Sequence, residues 1–155
     1  MSYVGLIGLG VMGENLTVNI AQKGFSISVY DKILEKTRIF HEKVCGTLEI
    51  NPTYSIEEFV NSLEKPRKII LLVPAGSPVD EVLESLSNYL DYGDIVCDCG
   101  NSFYKDTERR QWELKKRNIT FMGVGVSGGR EGALKGLSIM IGGEEYGYQA
   151  MKDLW

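Results

Sequence analysis

Residues 8–13 read Gly-Leu-Gly-Val-Met-Gly, a G-x-G-x-x-G spacing whose setting constrains the chain more than the glycines do. The motif follows a short β-rich run, residues 3–7, and opens a helical pattern over 11–23 in which Met12, Leu16, Ile20 and Ala21 recur at helical spacing. A second β-rich run covers 26–30, so the chain opens as a strand-helix-strand unit. In that context Gly8 permits the tight turn, Gly10 lets a pyrophosphate approach the backbone, and Gly13 lets the helix pack closely on the strand. The N–H groups around Leu9, Val11 and Met12 and the helix dipole would then face the anion. Asp31 stands 18 positions beyond Gly13, close to the roughly 20 expected of the acid that meets an adenosine ribose. The same residue is placed to cap a helix that starts near Ile33.

The alternation continues to the end of the chain. Helices are expected over 33–44, 55–63, 78–90 and 106–117, strands over 68–73, 94–98, 119–124 and 137–143, and a last helix from Glu144. Strands alternating with helices imply an α/β fold with a doubly wound, mainly parallel sheet, that is, a Rossmann-type dinucleotide-binding domain. The unbroken apolar run KIILLV, 68–73, supports this independently, because only a strand covered on both faces lacks polar alternation. No low-complexity linker interrupts residues 1–155, so one domain is expected. The final residues YGYQAMKDLW stop inside an amphipathic pattern without a capping glycine, which leads us to expect a polypeptide that continues further.

Composition removes several classes of partner. A net charge of −4 and a pI near 5.1 leave no electrostatic footprint for nucleic acid or an anionic membrane. The start of the chain has no basic segment, and Glu14 breaks the apolar stretch, so neither a signal peptide nor a membrane span is expected and the location reads as cytoplasmic. Three cysteines, Cys45, Cys97 and Cys99, lack paired spacing and read as reduced, buried thiols rather than a disulfide or zinc site. His41 has no ligand constellation around it, and no metal site is expected. ERRQWELKKR, 108–117, reads as a solvated helix, and the scattered Tyr and Phe residues as core.

Nine of the 18 glycines fall between Gly123 and Gly147, where the later strands end. Loops at the carboxyl edge of a parallel sheet are where ligands bind, and composition carries the argument no further than that. Four segments, GLIGLGVMGENL, KPRKIILLVPAG, DIVCDCGNSFYKDTERR and GVSGGREGALKGLSIMIGG, resemble the amino-terminal coenzyme-binding domain of the decarboxylating 6-phosphogluconate dehydrogenases. The first is shared by β-hydroxyacid dehydrogenases at large. The pairing of Gly100-Asn101-Ser102 with Gly125-Val126-Ser127-Gly128-Gly129 and Gly132-Ala133 is more particular to this family.

The resemblance implies that Gly8 to Gly13 bind a pyrophosphate, that Asp31, Lys32 and Ile33 meet the adenosine ribose, and that Val73, Pro74 and Ala75 touch the coenzyme. It places Asn101 between nicotinamide and sugar acid, and sets Ser127, Gly128 and Gly129 at the substrate's carboxylate end. The implied coenzyme is NADP, with NAD open because Asp31-Lys32-Ile33 stands where Asn-Arg-Thr is usual. Pro74, Cys99, Arg130 and Ile141 also depart from the usual pattern. The implied substrate is 6-phosphogluconate, oxidised and decarboxylated to ribulose 5-phosphate in the pentose phosphate pathway, and the implied assembly is a homodimer of the full-length protein. In the family the general base and acid, a Lys and a Glu, come from a helical domain that follows this one, so no catalytic residue is assigned within 1–155. Two alternatives stay open: another β-hydroxyacid dehydrogenase, of the 3-hydroxyisobutyrate type, and a non-catalytic dinucleotide-sensing module.

Overall fold

The computed structural model describes residues 1–155. Strands form where the short apolar runs fall: β1 (Val4–Ile7), β2 (Ile27–Tyr30), β3 (Ile50–Pro52), β4 (Lys68–Leu71), β5 (Ile95–Asp98), β6 (Thr120–Ser127) and β7 (Ser138–Gly142). Helices connect them: α1 (Val11–Gln22), α2 (Leu34–Val44), α3 (Ile56–Asn61), α4 (Ser77–Leu86), α5 (Tyr104–Lys115), α6 (Gly129–Lys135) and α7 (Glu145–Met151). The sheet order is β3-β2-β1-β4-β5-β6-β7, parallel from β3 to β6 and antiparallel between β6 and β7. This is the doubly wound, Rossmann-type sheet expected from the alternation. Its order reverses between β1 and β4, which opens a crevice at the carboxyl ends of those strands.

Neighbouring residues along each central strand serve opposite faces. Leu6, Ile70 and Met122 enter one apolar layer with Ile20, Phe40 and Val29, while Ile7, Ile69, Leu71 and Phe121 enter another with Phe59, Val79 and Leu86. Burying each such side chain contributes about 1.5–3 kcal/mol, against roughly 1 kcal/mol net for a ladder hydrogen bond. Burial on both faces therefore fixes the sheet's central position.

Three features differ from the sequence expectation. β3 went unread because it is three residues long and ends in Pro52; an edge strand tolerates a proline that a central one would reject. Helix α6 lies inside the stretch expected to be a loop, since its glycines mask its propensity. Packing holds it instead: Ala133 is fully buried, and the Asn19 amide on α1 donates to the carbonyls of Ala133 at 3.2 Å and Leu134 at 2.8 Å, taking up C-terminal carbonyls that the helix itself leaves free. β7 runs antiparallel: the ten residues between Ser127 and Ser138, with one short helix, fall below the dozen or more that a parallel crossover needs.

Two smaller expectations are corrected. Cys97 and Cys99 are buried, but Cys45, just past the end of α2, is exposed. Phe40, Phe59 and Phe121 are core, whereas Tyr92, Phe103, Tyr104 and Trp112 stand on the surface, because their turns and helix faces have no apolar layer to meet. No helix is long and apolar enough to cross a membrane.

Candidate functional site

One cleft of about 880 Å³ runs along the carboxyl ends of β1, β2, β4, β5 and β6. The three motif glycines meet different surroundings there. Gly8 has φ +108°, and a Cβ on it would sit 2.3 Å from the Leu72 carbonyl oxygen. A Cβ on Gly13 would come within 1.9 Å of the Gly8 oxygen, so α1 packs on the end of β1 as no other residue would allow. A Cβ on Gly10 would meet nothing within 4 Å; it would project into open space in front of α1, whose N-terminus has no side-chain cap. That space, faced by free backbone N–H groups, fits a pyrophosphate.

Gly8, Gly10, Val11, Met12 and Gly13 all line the cleft. Leu9 does not: its side chain is buried in the core and its N–H is already engaged, donating to Asp31 Oδ2 at 2.8 Å. Asp31 is itself buried, and its Oδ1 accepts the N–H of Ile33 at 2.8 Å. The carboxylate therefore ties the glycine turn to the β2–α2 loop, a bond to Leu9 that the local capping alternative did not anticipate.

Lys32 and Ile33 stand beside Asp31 on the same wall, both exposed. Sequence reasoning missed their neighbours. Lys36, in the first turn of α2, reaches the wall with its Nζ 3.8 Å from Asp31 Oδ2. Glu81, on α4 across the cleft, lies 3.5 Å from Lys32 Nζ. Lys36 was legible as the same-side residue one turn beyond Lys32; Glu81 was not, because 49 positions separate the pair and only the sheet order brings them together.

Val73, Pro74 and Ala75, in the β4–α4 loop, line the central wall. Asn101 belongs to the β5–α5 loop, which Asp98 braces from the end of β5 by accepting the Gly100 N–H at 3.0 Å and the Ser102 hydroxyl at 2.5 Å. Asn101 itself is exposed at the cleft, and so are Ser127, Gly128 and Gly129 where β6 passes into α6. Beneath Asn101, burial pushes the Cys97 thiol up to about 12 and the Cys99 thiol well above its ordinary range, so neither is a nucleophile here.

The basic stretch 108–117 is only partly the solvated helix expected. Arg109 and Glu113 face water, but the Arg110 side chain is fully buried against Asp80. Burying a guanidinium requires partners from other elements, and spacing within α5 cannot show them.

Residues 3–155 match the family described as the NAD binding domain of 6-phosphogluconate dehydrogenase. The chain is 51% identical to the decarboxylating 6-phosphogluconate dehydrogenase of Synechococcus elongatus and 51% identical to the NADP(+)-dependent, decarboxylating enzyme of Bacillus subtilis, each over 97% of this chain. Among solved structures, Plasmodium falciparum 6-phosphogluconate dehydrogenase, studied in its apo form and in complexes with NADP+ and with 6-phosphogluconate, superposes with a TM-score of 0.93 at 41% identity over 98% of this chain. The chain spans about a third of the length of these relatives, 32% of both curated proteins and 33% of the solved one.

Proposed function

The chain belongs to the 6-phosphogluconate dehydrogenase family, and on that premise we propose that residues 1–155 are the coenzyme-binding domain of an enzyme that oxidises and decarboxylates 6-phosphogluconate with NADP. The observation that carries the proposal is the continuity of one cleft of about 880 Å³ from the Gly8–Gly13 turn to the Ser127–Gly129 edge, where a dinucleotide and a sugar acid could lie side by side.

In this reading the backbone N–H groups at the start of α1 hold the pyrophosphate, and Val73, Pro74 and Ala75 form the wall along the coenzyme's middle. Lys32 and Lys36 supply positive charge at the adenosine end, while both oxygens of Asp31 are occupied by backbone N–H groups. That balance favours NADP over NAD, although Lys32 lacks the bidentate fork of an arginine. Asn101 orients the two ligands toward each other, and Ser127 with the Gly128 and Gly129 N–H groups holds the substrate's carboxylate. When bound, NADP+ would supply the hydride acceptor for C3 of the sugar acid; the 3-keto acid so formed would lose carbon dioxide to an enediol, whose protonation gives ribulose 5-phosphate. This chain contributes positioning, and proton transfer falls to a Lys and a Glu of a helical domain outside residues 1–155, through which the whole protein pairs as a homodimer.

Titration calorimetry on the 155-residue chain tests the first half: NADP+ binds, and more tightly than NAD. An activity assay on the same chain tests the second. No NADPH forms from 6-phosphogluconate, since general acid and base catalysis alone is worth about 10²- to 10⁴-fold. Absence of coenzyme binding, or turnover by this chain alone, overturns the reading.

A further inference from the structure

The Arg110 guanidinium joins two loops that are far apart in sequence. Its Nε and Nη2 donate to Asp80 Oδ1 at 2.8 Å and Oδ2 at 3.0 Å, a bidentate fork onto α4. Nη2 also donates to the Gly76 carbonyl at 3.0 Å, at the end of the loop that carries Val73, Pro74 and Ala75. Nη1 reaches the Ser102 hydroxyl, in the loop that carries Asn101, at 3.4 Å and lies 3.8 Å from Oδ2 of Asp98 at the end of β5. The loops are already close: a Cβ on Gly100 would sit 3.0 Å from the Val73 carbonyl oxygen. Arg110 itself does not line the cleft, and its side chain is 0% exposed.

Burying the guanidinium is costly, because its desolvation offsets part of the Coulomb gain from the half-exposed Asp80. What it fixes is geometry. Four hydrogen bonds from one planar guanidinium to α4, the β4–α4 loop and the β5–α5 loop restrict the mutual arrangement of the two loops. In the coenzyme reading the adenosine end is built by β1–α1 and β2–α2, with Glu81 of α4 beside Lys32, and Arg110 makes no hydrogen bond or ion pair with any of these residues.

We propose that Arg110 is a positioning residue for the nicotinamide half of the coenzyme, setting Val73–Ala75 and Asn101 from behind the cleft wall without contacting either ligand. The proposal rests on the reading of the cleft as a coenzyme site. It predicts a split between halves of one ligand, which a general loss of structure would not produce.

The test compares NADP+ with adenosine 2′,5′-bisphosphate, which carries the adenosine end alone, by calorimetry on the chain and its Arg110→Met, Arg110→Lys and Ser102→Ala variants. Arg110→Met weakens NADP+ by about tenfold or more while the bisphosphate changes by less than about twofold, in line with the cost of misplacing a positioned group. Arg110→Lys recovers part of the loss, because an ammonium keeps the charge without the fork. Ser102→Ala, which leaves the Asp80 pair intact, shows the same split more weakly, and keeps the proposal open to test if Arg110→Met does not fold. Equal weakening of both ligands, or unchanged NADP+ binding, overturns the proposal. If the unaltered chain binds neither ligand, the coenzyme reading falls and the inference with it.

Discussion

Asp31 Oδ2 accepts the N–H of Leu9, and Asp31 Oδ1 accepts that of Ile33, each at 2.8 Å, so one buried carboxylate holds the glycine turn and the ribose-side loop in register. An Asn side chain offers one acceptor oxygen where the carboxylate offers two, and leaves one backbone N–H facing an amide N–H. Asp31→Asn is expected to lower stability by about 1–3 kcal/mol while shifting preference from NAD toward NADP, because the negative charge is gone. Denaturant midpoints and calorimetry with both coenzymes check this; unchanged stability would show that the brace is dispensable.

Gly10 and Gly13 should separate binding from folding. At Gly10 φ is −84° and a Cβ meets nothing, so Gly10→Ala keeps stability or raises it by up to about 1 kcal/mol yet blocks the approach of a pyrophosphate and weakens coenzyme binding. Gly13→Ala places a Cβ 1.9 Å from the Gly8 oxygen and is expected to cost about 3 kcal/mol, the upper end for overpacking. Equal effects of the two substitutions on unfolding would contradict this division.

Glu81 pairs with Lys32 on the wall proposed to meet the adenosine, 3.5 Å away with both side chains largely exposed. Glu81→Gln is expected to tighten NADP+ by up to about fivefold, within the 1 kcal/mol range of exposed pairs, and to leave NAD unchanged. The gain should shrink in high salt as screening grows. An equal gain for NAD would remove Glu81 from coenzyme selection.

The Arg110 fork, helped by Arg109, holds the Asp80 carboxyl down at about 2 against an ordinary 3.8. As pH falls the unfolded chain takes up that proton first, so the stability Asp80 contributes is complete above about pH 4 and is lost as pH drops through about 2. Urea unfolding of the native chain and Asp80→Asn should show a gap at pH 6 that closes on acidification. A gap independent of pH would mean that the pair is not responsible.

Thiol chemistry should distinguish the cysteines. At pH 8 a disulfide reagent is expected to modify only Cys45 in the folded chain, since burial hinders Cys97 and Cys99 and raises their pKa values. Cys45→Ser should abolish the fast reaction; a second fast thiol would show the cleft floor opening.

The sequence by itself determined the sheet class, the glycine turn between β1 and α1 and most of the residues of the cleft wall. Glycine spacing, apolar runs and short helical periods are local signals, and the steric demand at Gly13 comes from Gly8 five positions before it, whereas that at Gly8 comes from Leu72 on the neighbouring strand's loop. Tertiary structure alone decided that α6 is a helix, that β7 turns back antiparallel, that Leu9 is drawn behind the wall by Asp31, that Glu81 faces Lys32, and that Arg110 is buried. Each of these depends on a partner from another element, and a one-dimensional pattern carries no information about which helix face a charge will meet once strand order is set. The Arg110 contacts, 30 positions from Asp80 and 34 from Gly76, exist only because β4 and β5 lie side by side.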